Sequence, residues 1–242
     1  MTSKEVRGFE IHHSHRDVTG GWLRPAVFGA SDGLVSNFAL IAGVAGGATA
    51  AGAGVNAVVL AGLAGLAAGA CSMAAGEYVS VASQSELAQA EIELERIELE
   101  HRPEAEQLEL TETFVRRGLE PDLAAQVAEQ LSQNPAAALE VHVREELGLD
   151  MHDLPSGFTA AGSSFASFTV GALIPVIPYL LGAESLWPAL VVSLVSLFVV
   201  GVMVSRITVR SWWFSGMRQL LLGGAAAGVT YAVGAVVGTS MG

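Results

Sequence analysis

No aspartate, glutamate, lysine, arginine or histidine occurs between Gly33 and Gly76 of this sequence. Three further uncharged runs cover residues 154–183, 185–205 and 219–242. A helix that crosses the hydrocarbon core of a bilayer needs about 20 apolar residues. Each later run can therefore hold one such helix, and the first run, extended back to Pro25, can hold two. With 51% hydrophobic residues and a mean hydropathy of +0.48, the chain is predicted to be an all-α integral membrane protein with five transmembrane helices.

The five predicted spans lie at residues 25–47, 55–81, 157–181, 186–206 and 217–240. A tight hairpin is expected between the first two, because four glycines fall there: Gly46, Gly47, Gly52 and Gly54. Apart from Gly76, nothing that breaks a helix occurs between Met73 and Arg102. The second span is therefore expected to continue beyond the membrane as one helix that ends before Pro103. Further helices are predicted to begin near residues 104, 121 and 136.

The segment between the second and third spans is strongly acidic. Residues 86–153 hold 18 acidic and 5 basic side chains, a balance of −13 that exceeds the −12 of the whole chain. Such a segment repels nucleic acids and anionic lipid headgroups, and it attracts cations. We therefore predict a helical metal-binding domain at residues 82–156. It separates the first two spans (25–81) from the last three (157–242), and a tail of residues 1–24 precedes them.

All 12 lysine and arginine residues fall on one side of the predicted membrane. Four lie in the tail, five in the acidic domain and three between the fourth and fifth spans. Because cytoplasmic loops are enriched in these residues, the tail and the acidic domain are predicted to be cytoplasmic. The host bilayer is predicted to be the plasma (inner) membrane if the source is bacterial and the vacuolar membrane if it is eukaryotic.

Asp32 is predicted to lie about two turns inside the first span. An ionisable group at that depth is costly unless it is paired, hydrated or neutral, which makes Asp32 a candidate for a transport path. The alternative is a structural carboxyl group bonded to a neighbouring helix. Met73 and Glu77, four residues apart, offer a thioether and a proton-exchanging carboxylate on one face of the second span. This pair suits a first-row divalent cation that has to bind and then leave, and the alternative for Met73 is simple packing.

Two pairs of glutamates flank Pro103. Glu95 and Glu98 precede it, and Glu106 and Glu109 follow it. A sharp turn at the proline would fold the two pairs toward each other. Four unpaired carboxylates at close range repel one another, and a divalent metal ion relieves that repulsion. The alternative is a solvated acidic face.

Histidines supply two further candidate metal sites. His142 and Glu146 are four residues apart on a later predicted helix, a spacing that suits a shared metal ion. In the tail, His12, His13 and His15 form a weaker, metal-catching candidate.

Three segments carry a resemblance to a known family. They are GASDGLVSN at residues 29–37, AGACSMAAGEYVS at 68–80 and EELGL at 145–149. In this order and with five predicted spans, they resemble the vacuolar iron transporter family, also called the yeast calcium-cross-complementer type. The resemblance covers nearly the whole chain from about Trp22.

The resemblance implies a homodimer of five-span protomers, with the ion path at the subunit interface and lined by the first helices. It implies export of Fe2+, often also of Mn2+, Co2+, Ni2+ or Zn2+, from the cytosol in exchange for protons, with no prosthetic group. By matching position, it implies that Asp32 and Met73 line the path and that Glu77 lies close by. The implied ligands of the cytoplasmic domain are Glu95, Glu98, Glu106, Glu109 and Glu146.

The chain departs from the family pattern at three positions. Gly65 stands where some members have a glutamate two turns before the methionine of the second span. His142 stands where a methionine ligand is expected, and Val143 occupies a neighbouring acidic position. The first replacement bears on proton coupling, and the other two bear on metal preference or affinity.

The residues and the resemblance together predict a divalent-metal exporter. An enzyme is not expected, because the sequence has no nucleophile–base pair, phosphate loop or cofactor fingerprint. One alternative is a membrane-tethered metal sensor or buffer, which gives Asp32 no role. Another is a proton-coupled exporter of organic cations, which leaves Met73 and the paired glutamates unexplained.

Overall fold

A computed structural model describes residues 21–51, 54–208 and 210–241 of the chain. The described residues form helices joined by short connections, as the sequence predicts. The candidate histidine tail of His12, His13 and His15 lies outside the described residues.

In the described part of the chain the helices are α1 (Leu23–Ala51), α2 (Asn56–His101), α3 (Pro103–Arg116), α4 (Pro121–Ser132), α5 (Pro135–His142), α6 (Gly157–Leu173), α7 (Ile177–Leu180), α8 (Leu186–Thr208) and α9 (Trp212–Met241). A short π-helix, Val143–Leu147, directly follows α5. Proline opens α3, α4 and α5, where its missing N–H costs no helical hydrogen bond. The side chain of Asn134 caps α5 by accepting from the N–H groups of Ala136 and Ala137.

Helix α2 confirms the expectation of one continuous helix that leaves the second span and ends before Pro103. At 46 residues it is about 69 Å long, more than twice the hydrocarbon thickness of about 30 Å. Its first half is the apolar part, so its second half extends beyond the membrane. The helices α3 and α5 and the π-helix pack on this second half, and α4 packs on α3 and α5.

Two predicted boundaries are wrong. The first helix does not end at residue 47 but continues to Ala51, and Gly46 and Gly47 lie inside it, against α9, where close packing rather than a turn requires glycine. The third predicted span, 157–181, is not one helix. It is interrupted between Leu173 and Ile177, because Pro175 has no N–H to donate and its ring obstructs the preceding turn.

Four helices of the described residues are long and apolar enough to cross a membrane: Leu23–Ala50, Asn56–His101, Leu186–Arg206 and Trp212–Ser240. Helix α6 is apolar but has only 17 residues, which gives it a length of about 25 Å. It packs along α1 and α2 inside the bundle. The described part of the chain is therefore all-helical with four membrane-length helices, and a fifth span through α6 and α7 stays a prediction.

Helix α1 lies at the centre of the bundle, with α2, α6, α8 and α9 packed around it. One buried apolar cluster joins Ile41 of α1 to Val58 of α2 and Val176. A second joins Phe38 of α1 to Leu197 of α8. This central position encloses one side of α1, whereas Asp32 lies on its exposed side.

The outer faces of α8 and α9 are apolar and exposed. Their exposed side chains include Val191, Val195, Val199, Leu221, Leu222, Val229 and Val233. Water-soluble proteins rarely expose an apolar surface of this extent. Because lipid tails are themselves apolar, such a surface agrees with a membrane location.

Candidate metal sites

Helix α2 and the α5–π-helix segment bring together three predicted metal ligands. His142 Nδ1 lies 3.0 Å from Glu95 Oε1 and 2.9 Å from Glu146 Oε1. One ligand atom of each residue lies within 4.8 Å of the others. His142 is fully buried and Glu95 is 6% exposed, whereas the Glu146 side chain is 21% exposed. The three groups therefore form a compact carboxylate–imidazole site that solvent reaches beside Glu146.

Three further glutamates surround this site. Glu106 of α3 is buried, and its Oε2 lies 4.0 Å from His142 Nδ1. Glu98 and Glu109 are near enough for their charges to act on both Glu95 and Glu106. The turn at Pro103 thus folds the two glutamate pairs toward each other. We call the whole group the acidic cluster: Glu95, Glu98, Glu106, Glu109, His142 and Glu146.

Burial and mutual repulsion favour the protonated form of the inner carboxyls. Burial raises the pKa of Glu95 to about 7, and the charges of Glu146, Glu106, Glu98 and Glu109 act in the same direction. Burial also raises the pKa of Glu106, reinforced by Glu109 and opposed by His142. Near neutral pH Glu95 is therefore partly protonated, and a divalent cation bound at its carboxyl group would displace that proton.

The π-helix sets the positions of two neighbouring glutamates. Its wider i→i+5 turn is rare and often occurs at functional sites. Here Glu146 contacts His142 inside the cluster, while Glu145 forms an ion pair with Arg117 beyond the end of α3. Gly148, with φ of 66°, ends the turn in the left-handed conformation that glycine favours. The ion pair fixes the π-helix to α3 and leaves Glu146 facing the cluster.

The surroundings of the His142 ring suit a bound metal ion, although metal binding would leave one ring N–H without an acceptor. A single Nδ1–H cannot serve both nearby carboxylate oxygens fully, and Glu95 Oε1 is buried without a hydrogen bond among the described residues. A cation between these atoms would satisfy all of them. Ligation through Nδ1 would move the ring proton to Nε2, which is buried with no acceptor in the described part of the chain, at a cost of about 1–3 kcal/mol.

A second polar site lies within the apolar bundle, where α1, α2 and α6 meet. Asp32 and Met73 line one cavity of about 360 Å³. We call it the membrane cavity, and beside Met73 its polar and small lining residues are Asp32, Ser36, Asn37, Gly65, Gly69 and Ser72. Asp32 is exposed on the surface of the single chain, and Met73 is half-buried. The cavity thus brings together two of the three predicted path residues.

Glu77, the third predicted path residue, does not line the membrane cavity. It is half-buried and lies one helical turn beyond Met73 along α2, in the direction of the acidic cluster. Its place along the helix therefore lies between the two polar sites.

A larger cavity, of about 1150 Å³, lies at the C-terminal end of α1, between α1, α8 and α9. Its lining includes Tyr179, Glu184 and Trp187. None of the predicted site residues lines this cavity. It occupies the end of the bundle opposite to the acidic cluster.

Sequence reasoning missed the contributions of Asn37 and of the Arg117–Glu145 ion pair. It gave Asn37 no role of its own, although an amide inside an apolar run is itself a signal, because its polar atoms need partners in the membrane. No sequence signal pairs Arg117 with Glu145, because α4 and α5 separate them along the chain.

A family model described as the VIT family matches residues 23–235. Vacuolar iron transporter 1 of Oryza sativa subsp. japonica is 33% identical over 243 aligned positions, which cover 99% of this chain and 95% of that protein. Vacuolar iron transporter 1 of Arabidopsis thaliana is 31% identical and covers 93% of this chain, with 90% of its own length aligned. The vacuolar iron transporter of Acanthamoeba castellanii is 43% identical over 173 positions, which cover 68% of this chain and 61% of that protein.

Proposed function

The chain belongs to the VIT family, and from that premise we propose that it exports a divalent metal ion from the cytosol in exchange for protons. The relatives are transporters, and the chain is accordingly a transporter and not an enzyme. Fe2+ is the proposed principal cargo because the relatives are named iron transporters. Mn2+, Co2+, Ni2+ and Zn2+ are proposed as further cargoes.

The proposed capture step takes place at the acidic cluster. Support comes from the three ligand atoms that lie within 4.8 Å of one another and from the raised pKa values of Glu95 and Glu106. Carboxylate and imidazole groups suit first-row divalent ions. A bound cation offsets the repulsion among the glutamates, and the protons that it displaces enter the cytosol. A cytoplasmic location of this domain is part of the proposal, since all 12 lysine and arginine residues fall on its side of the predicted membrane.

The proposed path leads from the cluster along α2 to the membrane cavity. Met73 and Glu95 are 22 residues apart on this helix, a distance of about 33 Å. Glu77 is the proposed intermediate carboxylate between them. In the membrane cavity, the Asp32 carboxylate offsets the charge of the cation and the Met73 thioether adds a soft ligand that releases it readily.

We propose that two copies of the chain enclose the path. Asp32 is exposed on the surface of one protomer, and a carboxylate that faces lipid is costly. A second protomer over this face would cover Asp32 and close the membrane cavity at the seam. Protons that return inward would neutralise Asp32 and Glu77 after the metal has left. The proposed bilayer is the inner membrane of a bacterium or the vacuolar membrane of a eukaryote.

The observation that carries this function is the cavity shared by Asp32 and Met73 inside an apolar bundle. A tethered sensor or buffer has no use for a carboxylate at that depth, and an organic-cation exporter has no use for the acidic cluster. The two polar sites together are what a metal transporter needs, with one site for capture and one for passage.

The test is uptake of Fe2+ (kept anaerobic) and Mn2+ into proteoliposomes with an imposed pH gradient. The native protein is compared with Asp32→Ala and with Asp122→Ala, which removes an exposed aspartate of α4. We expect the flux to follow the pH gradient, to disappear in Asp32→Ala and to persist in Asp122→Ala. Gradient-driven flux in Asp32→Ala would refute the path.

The same assay separates the alternatives. Combined replacement of Glu95, Glu98, Glu106 and Glu109 by glutamine should lower metal affinity and leave a slow flux at high metal concentration. Metal binding without flux in any of these proteins would favour the sensor or buffer. Flux of an organic cation that metals do not inhibit would favour the organic-cation exporter.

A further inference from the structure

We propose that Asn37 is a metal ligand of the membrane cavity and that its side-chain oxygen supplies a neutral, hard ligand beside Asp32 and Met73. This inference deepens the proposed function and rests on it for the identity of the cargo. It assigns the cavity a third donor, from a residue to which the sequence analysis gave no role of its own.

Hydrogen bonds fix the orientation of the Asn37 amide. The side chain is 2% exposed, and its Nδ2 donates to the carbonyl oxygens of Gly62 (3.1 Å) and Ala172 (2.6 Å). The reversed orientation would place the amide oxygen against two carbonyl oxygens and is therefore excluded. Since Nδ2 is used by the backbones of α2 and α6, the oxygen must point elsewhere.

The amide oxygen points into the membrane cavity. Asn37 and Gly65 both line this cavity, whereas Gly62 and Ala172 do not. A methyl group placed on Gly65 would lie 2.9 Å from Asn37 Oδ1 and closer still to Leu40 Cδ2, so the oxygen lies beside Gly65 and Leu40, two residues of the cavity wall. Oδ1 is buried and has no hydrogen-bond partner among the described residues. It is thus an unused acceptor aimed at the cavity of the proposed path.

The chemistry of this oxygen suits a cation in transit. Amide oxygens are ligands for hard and borderline divalent ions. Asn37 adds no charge, so it replaces part of the hydration shell without holding the ion as firmly as a second carboxylate would. Conduction requires binding that is strong enough to admit the ion and weak enough to release it. The hydroxyl of Ser36 donates to the carbonyl of Asp32 at 2.6 Å, whereas Asn37 Oδ1 is buried with no hydrogen bond among the described residues.

Binding of Mn2+ to the purified full-length protein, followed by electron paramagnetic resonance, tests the proposal. The background carries Glu95→Gln, Glu106→Gln and Glu146→Gln to silence the acidic cluster. In this background, the Mn2+ binding that is lost when Asp32→Asn is added is the binding assigned to the membrane cavity. The readout is an equilibrium affinity and does not depend on transport.

The main variant covers the oxygen without removing the amide. Gly65→Ala places a methyl group against Asn37 Oδ1 and also against Leu40 Cδ2, so it is combined with Leu40→Ala and compared with Leu40→Ala alone. Both hydrogen bonds of Nδ2 stay in place. Gly162→Ala is the matched glycine control, because a methyl group there meets nothing within 4 Å. Asn37→Leu is a second variant, which removes the oxygen entirely.

We expect Leu40→Ala/Gly65→Ala to bind Mn2+ at least about tenfold more weakly than Leu40→Ala, in line with the loss of one supporting group at a metal site. Gly162→Ala should bind as the background does, and folded Asn37→Leu should bind as weakly as the double variant. If Asp32-dependent binding is retained and Leu40→Ala/Gly65→Ala binds Mn2+ as tightly as Leu40→Ala, the role of Asn37 is refuted. The cavity as a metal site would not be affected by that result. Absence of any Asp32-dependent binding would overturn the cavity as a metal site, and with it both the inference and the proposed path.

Discussion

At the residue scale, burial and repulsion act together on Glu95. Its pKa of about 7 lies above the ordinary value of 4.5, so the folded protein without metal holds this proton more tightly than the unfolded chain does. The stability from the raised pKa is fully present below pH 4.5 and is lost as the pH rises through about 7. Above that pH the ionised Glu95 is buried near other carboxylates, which destabilises the fold. A bound cation offsets this destabilisation, because its positive charge replaces that of the proton.

Metal binding at the acidic cluster should therefore weaken as the pH falls below about 7. With one proton displaced from Glu95, we expect the Kd for Mn2+ to rise by up to about tenfold per pH unit in that range. Glu95→Gln should bind more weakly at neutral pH and show a flatter pH dependence. Calorimetric titration of the full-length protein, in two buffers of different ionisation enthalpy, measures both the affinity and the released proton. A pH-independent Kd in the native protein would contradict the displacement of a proton.

At the element scale, glycines let α1 and α9 approach to backbone contact. A methyl group on Gly234 would collide with the carbonyl oxygen of Gly43, and one on Gly238 with that of Gly47. Beside this contact, Thr230 of α9 donates a 2.6 Å hydrogen bond to the carbonyl of Ala39. Small residues and hydrogen bonds of this kind hold helices together where lipid provides no hydrophobic driving force between them.

Gly234→Ala should destabilise the bundle, because the rigid backbone of α1 cannot move away from the added methyl group. Overpacking of this kind costs about 1–3 kcal/mol. Gly228→Ala on the same helix meets nothing within 4 Å and should stay within about 0.5 kcal/mol of the native stability. Thermal unfolding in detergent, followed by circular dichroism, compares the two. Equal melting temperatures for these variants would argue against the close α1–α9 contact.

At the scale of the whole molecule, α2 links the two polar sites rigidly. It carries Met73 in the bundle and Glu95 in the acidic cluster, and nothing interrupts the helix between them. The cluster therefore stays at a fixed distance from the membrane cavity, and its side of the membrane is decided by the direction in which α2 crosses.

The basic residues predict that the acidic domain faces the cytoplasm, and cysteine labelling tests this orientation. In a Cys71→Ser background, Gln133→Cys lies in the acidic domain and Ser185→Cys lies between α7 and α8, both at exposed positions. With a membrane-impermeant maleimide added to intact spheroplasts of a bacterial host, we expect labelling of Ser185→Cys only. Permeabilised spheroplasts should show labelling of both variants, and the reverse pattern in intact spheroplasts would contradict the predicted orientation.

The sequence by itself determined the helical class, the continuous α2 and the candidate ligands, because these depend on local patterns of charge, hydropathy and proline. It misjudged the end of α1, since Gly46 looks the same in a turn as in a tight helix contact. It also misjudged the continuity of the helix over residues 157–181, where the uncharged run concealed the interruption beside Pro175.

Only the tertiary structure decided which polar groups meet. Glu95 and His142 are far apart in sequence and become neighbours because α5 and the π-helix pack on α2. Asn37 became a candidate ligand only when its amide nitrogen was found to bond α2 and α6, which leaves its oxygen for the membrane cavity. The physical reason is that local propensities set helices, whereas burial, pairing and unused hydrogen-bonding capacity arise only from contacts between them.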